Sequence, residues 1–329
     1  MRYLRSIWLL LALGGMLFSA GPAWSQATLP DLPLRPAAYV LPPIDQHPEV
    51  PPIVDPILDD SPVAGPGFFT NVELFFIRPH LNSNLTGNVT VSAAQTDTVN
   101  LQISGSMGTT VSPRFEVGYR LPEQLGEFLI GYRFETFQRN SIPADDVAER
   151  DRFAMNLIDL DWGSWQPFGL QLPGWNIRFN VGIRVGTIYY DTKQDFAGVL
   201  PAPGVVEQRA SNYFAGVGPE SGLDLSREIL IPGLAIVGRV SGTDMFGDLH
   251  QVFSETTGAG TFSSGFRNQV SIPNLTLQAG LSYTMPEWNY SRILLGYVWE
   301  EFWQLGRLGF SGNGDLLNRG LFLRAEFNF

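Results

Sequence analysis

The sequence predicts an all-β protein: a transmembrane antiparallel up-and-down β-barrel of about 10 strands (8–12), preceded by a disordered proline-rich segment. Three observations predict this fold class. Apolar and polar residues alternate with period two in many segments of residues 67–329. The chain begins with a pattern typical of an export signal, and it ends on a strand whose last residue is aromatic.

The composition fits a chain of strands and turns. Only 16% of the 329 residues are charged, whereas roughly 25% is typical of a globular domain, and glycine (35 residues) and aromatic residues (12%) are abundant. The absence of cysteine excludes disulfides and a lipid-modified cysteine. A net charge of −11 with a single lysine, Lys193, argues against a nucleic-acid partner.

Residues 1–25 have the pattern of a cleaved signal peptide. Arg2 and Arg5 precede an apolar core over residues 7–18, and a small-x-small site lies before Gln26. An N-terminal membrane anchor is the alternative, but the apolar run is shorter than the about 20 residues that a spanning helix needs. The signal predicts export and, with the barrel, a location in the bacterial outer membrane.

Residues 26–66 form a proline-rich acidic segment. They contain eleven of the 24 prolines, a density that prevents helix and sheet and favours extended polyproline geometry. We interpret the segment as a periplasmic linker. The alternative is that it is the ligand of a cell-wall or periplasmic partner.

The clearest strand lies within residues 174–190. Residues such as Val181 and Ile183 form one apolar face, while Arg178, Gly182 and Arg184 belong to the other face. A core strand of a soluble protein rarely has two arginines on its second face, whereas a barrel wall places lipid on one side and a polar lumen on the other.

The same alternation defines about ten strands, an even number as bacterial outer-membrane barrels require. In chain order these segments lie near residues 72–76, 99–121, 128–134, 158–162, 174–190, 213–224, 234–239, 275–283, 293–300 and 317–329. In the last segment, the face from Leu321 to Phe329 is apolar, and Arg324 and Glu326 are on the opposite face.

Connections of two lengths alternate along the chain, which predicts an orientation. Short ones lie near 122–126, 163–173, 225–232 and 285–289, and mostly longer ones near 80–96, 140–150, 191–209, 246–270 and 305–316. Short turns face the periplasm in outer-membrane barrels, so the first and last strands are expected to have their chain termini on the periplasmic side. Four tryptophans beside the short turns suggest an interfacial aromatic girdle, with ordinary core packing as the alternative: Trp162, Trp165, Trp175 and Trp288.

The polar faces of these strands give a candidate lumen lining of seven basic and eight acidic residues. Charges in a low-dielectric barrel must pair, which would partly block the lumen, or stay hydrated, which would leave a narrow aqueous channel. The candidates are Arg114, Glu116, Arg120, Arg133, Glu135, Asp159, Asp161, Arg178, Arg184, Glu220, Asp224, Arg239, Glu300, Arg324 and Glu326.

Several blocks in this order resemble the pore-forming outer-membrane proteins related to the Legionella major outer membrane protein. The resemblance covers roughly residues 67–329 and implies a pore. It also implies that the terminal aromatic strand, with Phe327 and Phe329, is the assembly signal read by the barrel-assembly machinery. The blocks are PRFEVGYR at 113–120, GYRF at 131–134, GVGP at 216–219, GLD at 222–224, LSY at 281–283, LGYVWE at 295–300 and GLFLRA at 320–325.

No catalytic, cofactor-binding or metal-binding pattern is present in the sequence, and no cofactor and no enzymatic activity are expected. The three histidines, His47, His80 and His250, are far apart in sequence. The pair formed by Asp159 and Asp161 resembles the start of a calcium loop but lacks the remaining ligands, so alternating lumen acids explain it better. A barrel enzyme with His80 as its base is the alternative.

The functional prediction is a porin-like channel for small solutes or ions in the outer membrane, with membrane lipid and the assembly machinery as partners. The first alternative is a non-conducting structural or surface-binding barrel, an adhesin or anchor. A soluble secreted β-sandwich is a further alternative and would predict solubility without detergent.

Overall fold

The structure is a computed structural model that describes residues 66–92, 95–122, 125–141, 148–165, 174–196, 205–229, 231–305 and 314–329. The predicted signal peptide and almost all of the proline-rich segment lie outside these residues. No helix in the described part of the chain is long and apolar enough to cross a membrane.

Eleven strands account for most of the described residues. They are β1 (Gly67–Ser92), β2 (Gln95–Ser106), β3 (Thr110–Arg120), β4 (Glu127–Ser141), β5 (Ala148–Trp165), β6 (Asn176–Asp195), β7 (Val205–Glu228), β8 (Leu234–Thr257), β9 (Gly260–Met285), β10 (Ser291–Phe302) and β11 (Gly314–Asn328), with one short 3-10 helix, Pro286–Trp288, between β9 and β10.

Ten of these strands form a closed antiparallel ring, as predicted, but the single strand predicted near 99–121 is two strands, β2 and β3, of which only β3 belongs to the ring. The ring runs β1, β3, β4 and onward in chain order to β11, which pairs with β1 from Phe69↔Asn328 to Ser83↔Gly314. Strand β2 is not one of the ten wall strands, because it pairs only with the distal half of β1. Closure leaves the ring without a free edge, which a barrel in lipid requires.

The outer surface of the ring carries an apolar belt. Side chains such as Ile130, Leu160, Ile183 and Leu295 are 46–60% exposed, although they are large and apolar. Strand alternation puts these residues on the opposite face from the buried charged residues of the same strands. An exposed apolar surface of this extent fits contact with lipid and not with water.

We assign the end of the barrel that carries Gly67 and Phe329 to the periplasm. The belt lies toward this end, and β7, β8 and β9, with 24 to 26 residues each, extend well beyond it on the other side. About 9–11 residues suffice to cross a membrane, and this assignment therefore puts the extension outside the cell. Trp162, Trp175 and Trp288 are 36–63% exposed near the periplasmic turns, which fits an interfacial girdle; the side chain of Trp165 is outside the described set.

Two predicted loops are strands in the structure. Residues 80–96 are mostly the paired ends of β1 and β2, and residues 246–270 form the β8–β9 hairpin with a turn at 258–259. The predicted loop at 191–209 is likewise shortened to 196–204 by the ends of β6 and β7. The prediction failed because these segments lie outside the lipid and therefore lack an apolar outer face.

The apolar face changes side along several strands. In β5, Ile158, Leu160 and Trp162 face outward toward the periplasmic end, whereas Phe153 and Met155 are buried inside the barrel. The barrel is thus apolar outside within the membrane and apolar inside beyond it, as expected of a wall that passes from lipid into water.

Deleting Phe327–Phe329 should sharply lower the amount of protein assembled in the outer membrane. Residues 327 and 328 pair with Thr70 and Phe69, and the Phe329 backbone N–H donates to the Phe68 carbonyl over 3.0 Å. Each unpaired backbone group left in lipid costs several kcal/mol. Quantifying heat-modifiable protein in outer-membrane fractions measures the loss. Asn328→Ser, which removes two side-chain hydrogen bonds at the rim but keeps the backbone pairing, should change little. Normal levels of the truncated protein would contradict the need for β1–β11 pairing.

Deleting residues 29–64 should leave an inserted and folded barrel. The ring from β1 to β11 is closed by its own strands and needs no additional strand. The measurement is heat-modifiable migration of the shortened protein after export. A shortened protein that stays in the periplasm would show that the proline-rich segment assists assembly.

Candidate functional site

The lumen of the barrel is the candidate site, and all fifteen predicted lining residues face inward. Most are almost fully buried, with Arg133, Arg184 and Arg324 at most 5% exposed. The strands project them in alternate positions, so residues two apart on a strand occupy successive levels. The charged residues form three groups, described here from the periplasmic end outward.

The first group lies at the periplasmic rim. Arg120 pairs with Glu127 and Glu326, over 3.4 and 3.6 Å. Arg178 contacts Glu127 and lies 3.5 Å from Asp224. Arg239 donates to Asp224 over 2.9 Å. These pairs link strands β3, β4, β6, β7, β8 and β11 across the lumen.

A small cavity borders this group. Its volume is about 60 Å³, and Arg178, Arg239, Arg292 and Arg324 are among the residues that line it. Since a water molecule needs about 10–15 Å³ of such volume, the cavity has room for several water molecules.

The second group centres on Arg184. Its guanidinium donates to both oxygens of Asp159 (2.7 and 3.2 Å), to Glu220 over 2.9 Å and to Asn274 over 3.0 Å. Arg114 donates to the same Asp159 over 2.9 Å. The arginine–carboxylate contacts thus continue around the ring.

Glycine provides the space that this group needs. Gly182 faces inward between the levels of Arg178 and Arg184, and a Cβ atom there would collide with the Asp161 carboxylate and the Leu160 carbonyl. The glycine that interrupts the polar face of β6 in the sequence therefore gives room for the side chains of β5.

The third group lies further outward. Arg133 donates to Glu300 over 2.8 Å and to Glu135 over 3.0 Å, and its guanidinium stacks 4.5 Å from the ring centre of Phe75. Asn318 donates to both of these carboxylates over 3.1 Å. Of the two alternatives for the lumen charges, pairing or hydration, the structure shows pairing for fourteen of the fifteen predicted residues. The exception is Asp161, which forms no ion pair with a described residue.

Beyond the charged groups, an apolar cluster fills the outer half of the lumen. It comprises Leu81, Val89, Met107, Phe153, Met155, Leu157, Ile188, Tyr190, Ala210, Phe214, Met245, Leu249, Phe253, Ile272, Phe302, Leu305 and Leu316. All of these side chains are nearly inaccessible to solvent. We refer to this set as the apolar layer.

The β1–β2 hairpin contributes to the apolar layer from inside the ring. Its Val89 is fully buried in the layer, and the Ser264 hydroxyl of β9 donates to the Asn88 carbonyl over 2.7 Å. The hairpin also contacts β6, β7 and β8. It therefore crosses the lumen and reaches the opposite wall.

Sequence reasoning missed this apolar layer and several polar partners in the lumen. The missed polar residues include Glu73, Glu127 and Arg292, which lie on the inward face with the predicted charges. A signal for the layer is present in β5, where apolar residues occupy odd positions up to Leu157 and even positions from Ile158. That change of phase marks the level at which the lumen becomes apolar.

A closed ring with an apolar belt outside and paired charges inside defines the class of protein: a transmembrane β-barrel. A family model described as "Legionella pneumophila major outer membrane protein precursor" matches residues 129–318, more than half of the chain, and the chain belongs to this family. The resemblance predicted from the sequence is confirmed, and the protein is an outer-membrane protein. No curated protein sequence matches the chain.

Three solved structures resemble this chain at low identity. The outer membrane protease OmpT from Escherichia coli is 10% identical, with 80% of this chain and 96% of that chain covered and a TM-score of 0.48. A major outer membrane protein from Thermus thermophilus is 13% identical (80% and 100% covered, TM-score 0.33). The Pseudomonas putida toluene transporter TodX is 7% identical (80% and 90% covered, TM-score 0.33).

Proposed function

We propose that this outer-membrane barrel is closed to solutes in its ground state and acts as a structural, surface-presenting barrel. The observation that carries the proposal is the filled lumen, with three groups of paired charges below an apolar layer. A barrel of about eight strands is filled by its own side chains, and here ten strands are filled by arginines, aromatic residues and an inserted hairpin.

The two kinds of layer oppose passage in different ways. A solute at the level of Arg184 would have to separate it from Asp159 and Glu220, and breaking a buried ion pair costs about 3–5 kcal/mol. An ion at the level of Phe153 or Phe214 would have to shed its hydration in an apolar constriction. The layers lie in series, so a solute would meet both barriers.

The extracellular extension supports a surface role. Strands β7, β8 and β9 continue past the belt, and their outward face there carries polar and charged residues such as Arg209, Asp248 and Arg267. This part of the barrel is built as a water-exposed sheet with an apolar interior, which suits presentation of a surface outside the cell.

A channel that opens under some condition is the second candidate, and the β1–β2 hairpin is the observation that favours it. The hairpin fills the lumen without being a full member of the ring, because β2 pairs only with β1. Movement of this hairpin is the change that would remove material from the lumen while every wall strand keeps its neighbours.

Single-channel recording in planar bilayers tests both candidates. The full-length protein should give no conductance steps above background. A variant in which a Gly-Ser turn replaces residues 83–105 separates the candidates: silence favours the structural barrel, and steps favour the channel. Constitutive steps from the full-length protein would overturn the closed ground state. Heat-modifiable migration confirms that each protein is folded.

We propose no catalytic role, and the position of His80 supports this. His80 pairs in register with Leu317 at the top of the belt and is on the outward face with Arg78, away from the buried carboxylates of the lumen. The proposed partners remain membrane lipid, the assembly machinery and a periplasmic or cell-wall ligand of residues 26–66.

A further inference from the structure

Two arginines lie side by side on the outward face of the β1–β11 seam. Arg78 and Arg319 are direct cross-strand partners, and Trp299 of β10 is the next residue in the same row. Both arginines are exposed. Side chains directly opposite each other in an antiparallel pair have Cβ atoms about 4.5–5.5 Å apart, so the two positive charges are close together.

Neither arginine has an anionic partner among the described residues. Their neighbours in the next row outward include Glu301, and Asp315 lies one row further, but neither acid forms an ion pair with either arginine. Asp315 instead accepts from the backbone N–H of Gln304. Two like charges that face each other destabilise a sheet, and an anion bound between them removes that cost.

The pair lies at the outer edge of the apolar belt. The row below it is formed by Phe76, Leu321 and Tyr297, which are 42–56% exposed. Arg319 precedes Phe329 by ten residues, which at the usual rise and tilt of a barrel strand corresponds to roughly 25 Å, the height of the apolar band. This is the level of the headgroups of the outer leaflet.

We propose that Arg78 and Arg319 form a binding site for the phosphorylated headgroup of a lipid in the outer leaflet. The guanidinium forks match the oxygens of a phosphate, which can bridge the two strands. The exposed apolar row below would contact the acyl chains of the same lipid, and Trp299 lies at the depth where indoles favour the interface. The chain as a whole is negatively charged, so general attraction to anionic lipid does not explain such a contact.

The simpler explanation is that each arginine extends its charged end into the water above the belt and binds no particular lipid. This explains a single arginine but gives no reason for two arginines to face each other across the β1–β11 seam. It also predicts no preference among lipids. A comparison of lipids therefore separates the two explanations.

The test uses the full-length protein in maltoside micelles, with phosphatidic acid as the probe and phosphatidylcholine as the comparison. Native mass spectrometry measures binding. The expected result is that phosphatidic acid binds more tightly than phosphatidylcholine, and that Arg78→Gln/Arg319→Gln weakens its binding about tenfold or more. Arg78→Lys/Arg319→Lys, which keeps the charges and loses the forks, should have an intermediate affinity.

The matched control is Arg150→Gln/Arg267→Gln, which removes two exposed outward arginines from other strands and should bind like the unchanged protein. Equal binding by the unchanged protein and the Arg78/Arg319 double variant would overturn the site. Displacement of the lipid by inorganic phosphate at similar concentrations would overturn the assignment to a lipid.

The thermal unfolding midpoint provides a second measurement, because the double variant should differ from the unchanged protein in different ways without and with anionic lipid. Without anionic lipid, Arg78→Gln/Arg319→Gln should raise or leave unchanged the unfolding midpoint, because it removes like-charge repulsion. Addition of phosphatidic acid should raise the unfolding midpoint of the unchanged protein more than that of the variant. An equal rise in both proteins would contradict the proposal.

Discussion

Arg184→Met should lower the free energy of unfolding of the barrel by about 3–5 kcal/mol, because it leaves buried carboxylates without their cation. Methionine fills a similar volume but donates no hydrogen bond. Glu220 would lose the arginine that lies 2.9 Å from it, and Asp159 would keep only Arg114. Urea titration of the protein folded in lipid vesicles, followed by tryptophan fluorescence, measures the change.

Two comparisons make this expectation specific. Arg150→Met removes an exposed arginine whose hydrogen bond goes to Gln138, and it should change stability by no more than about 0.5 kcal/mol. Neutralising the partners as well, in Arg184→Met/Asp159→Asn/Glu220→Gln, should restore much of the loss, because Arg114, the charge of this group that then remains, still pairs with Glu116 over 2.9 Å. A triple variant as unstable as the single one would mean that shape, not charge, dominates the site.

Ile183→Arg should cost about 2–4 kcal/mol, the penalty for a cation on the lipid face at the bilayer midplane. Ile183 is 51% exposed, lies in the middle of the outward face of β6 and pairs in register with Leu160 and Pro219 of the neighbouring strands. The buried acid on the same face of β6, Asp191, lies eight residues further along the strand and already pairs with Arg152 and Arg209. The same vesicle titration measures the effect.

Depth supplies the control for this change. Thr187 lies on the same face of β6 at the outer edge of the belt. The penalty for an arginine there, in Thr187→Arg, falls to about 0–1 kcal/mol. Equal costs at Ile183 and Thr187 would mean that the belt is placed wrongly along the strand.

The sequence is informative wherever one face of a strand meets lipid. In β6 the alternation alone assigns Ile183 and Arg184 to opposite faces, because one side of the wall meets lipid and the other meets the polar lumen. The number of ring strands and the seam between the first and last strands follow from the same pattern and from the need to close the sheet.

The contents of the lumen could not be predicted in the same way. Which carboxylate Arg184 binds depends on the register and curvature of strands far apart in sequence, and period two carries no such information. From the polar face of β6, an arginine at Asn180 is expected to be mild. In the structure Asn180 donates to Asp224 over 3.1 Å beside Arg178, so an arginine there would enter a filled and already basic space.

The change of side at Leu157 and Ile158 has a mechanical consequence. If the barrel sank toward the periplasm by two residues along β5, Asn156 would be drawn into hydrocarbon. If it rose by the same amount, Ile158 would be lifted into water. Both displacements cost free energy, so the barrel has one preferred depth in the membrane. Its outer strands are therefore held at a constant height above the cell surface.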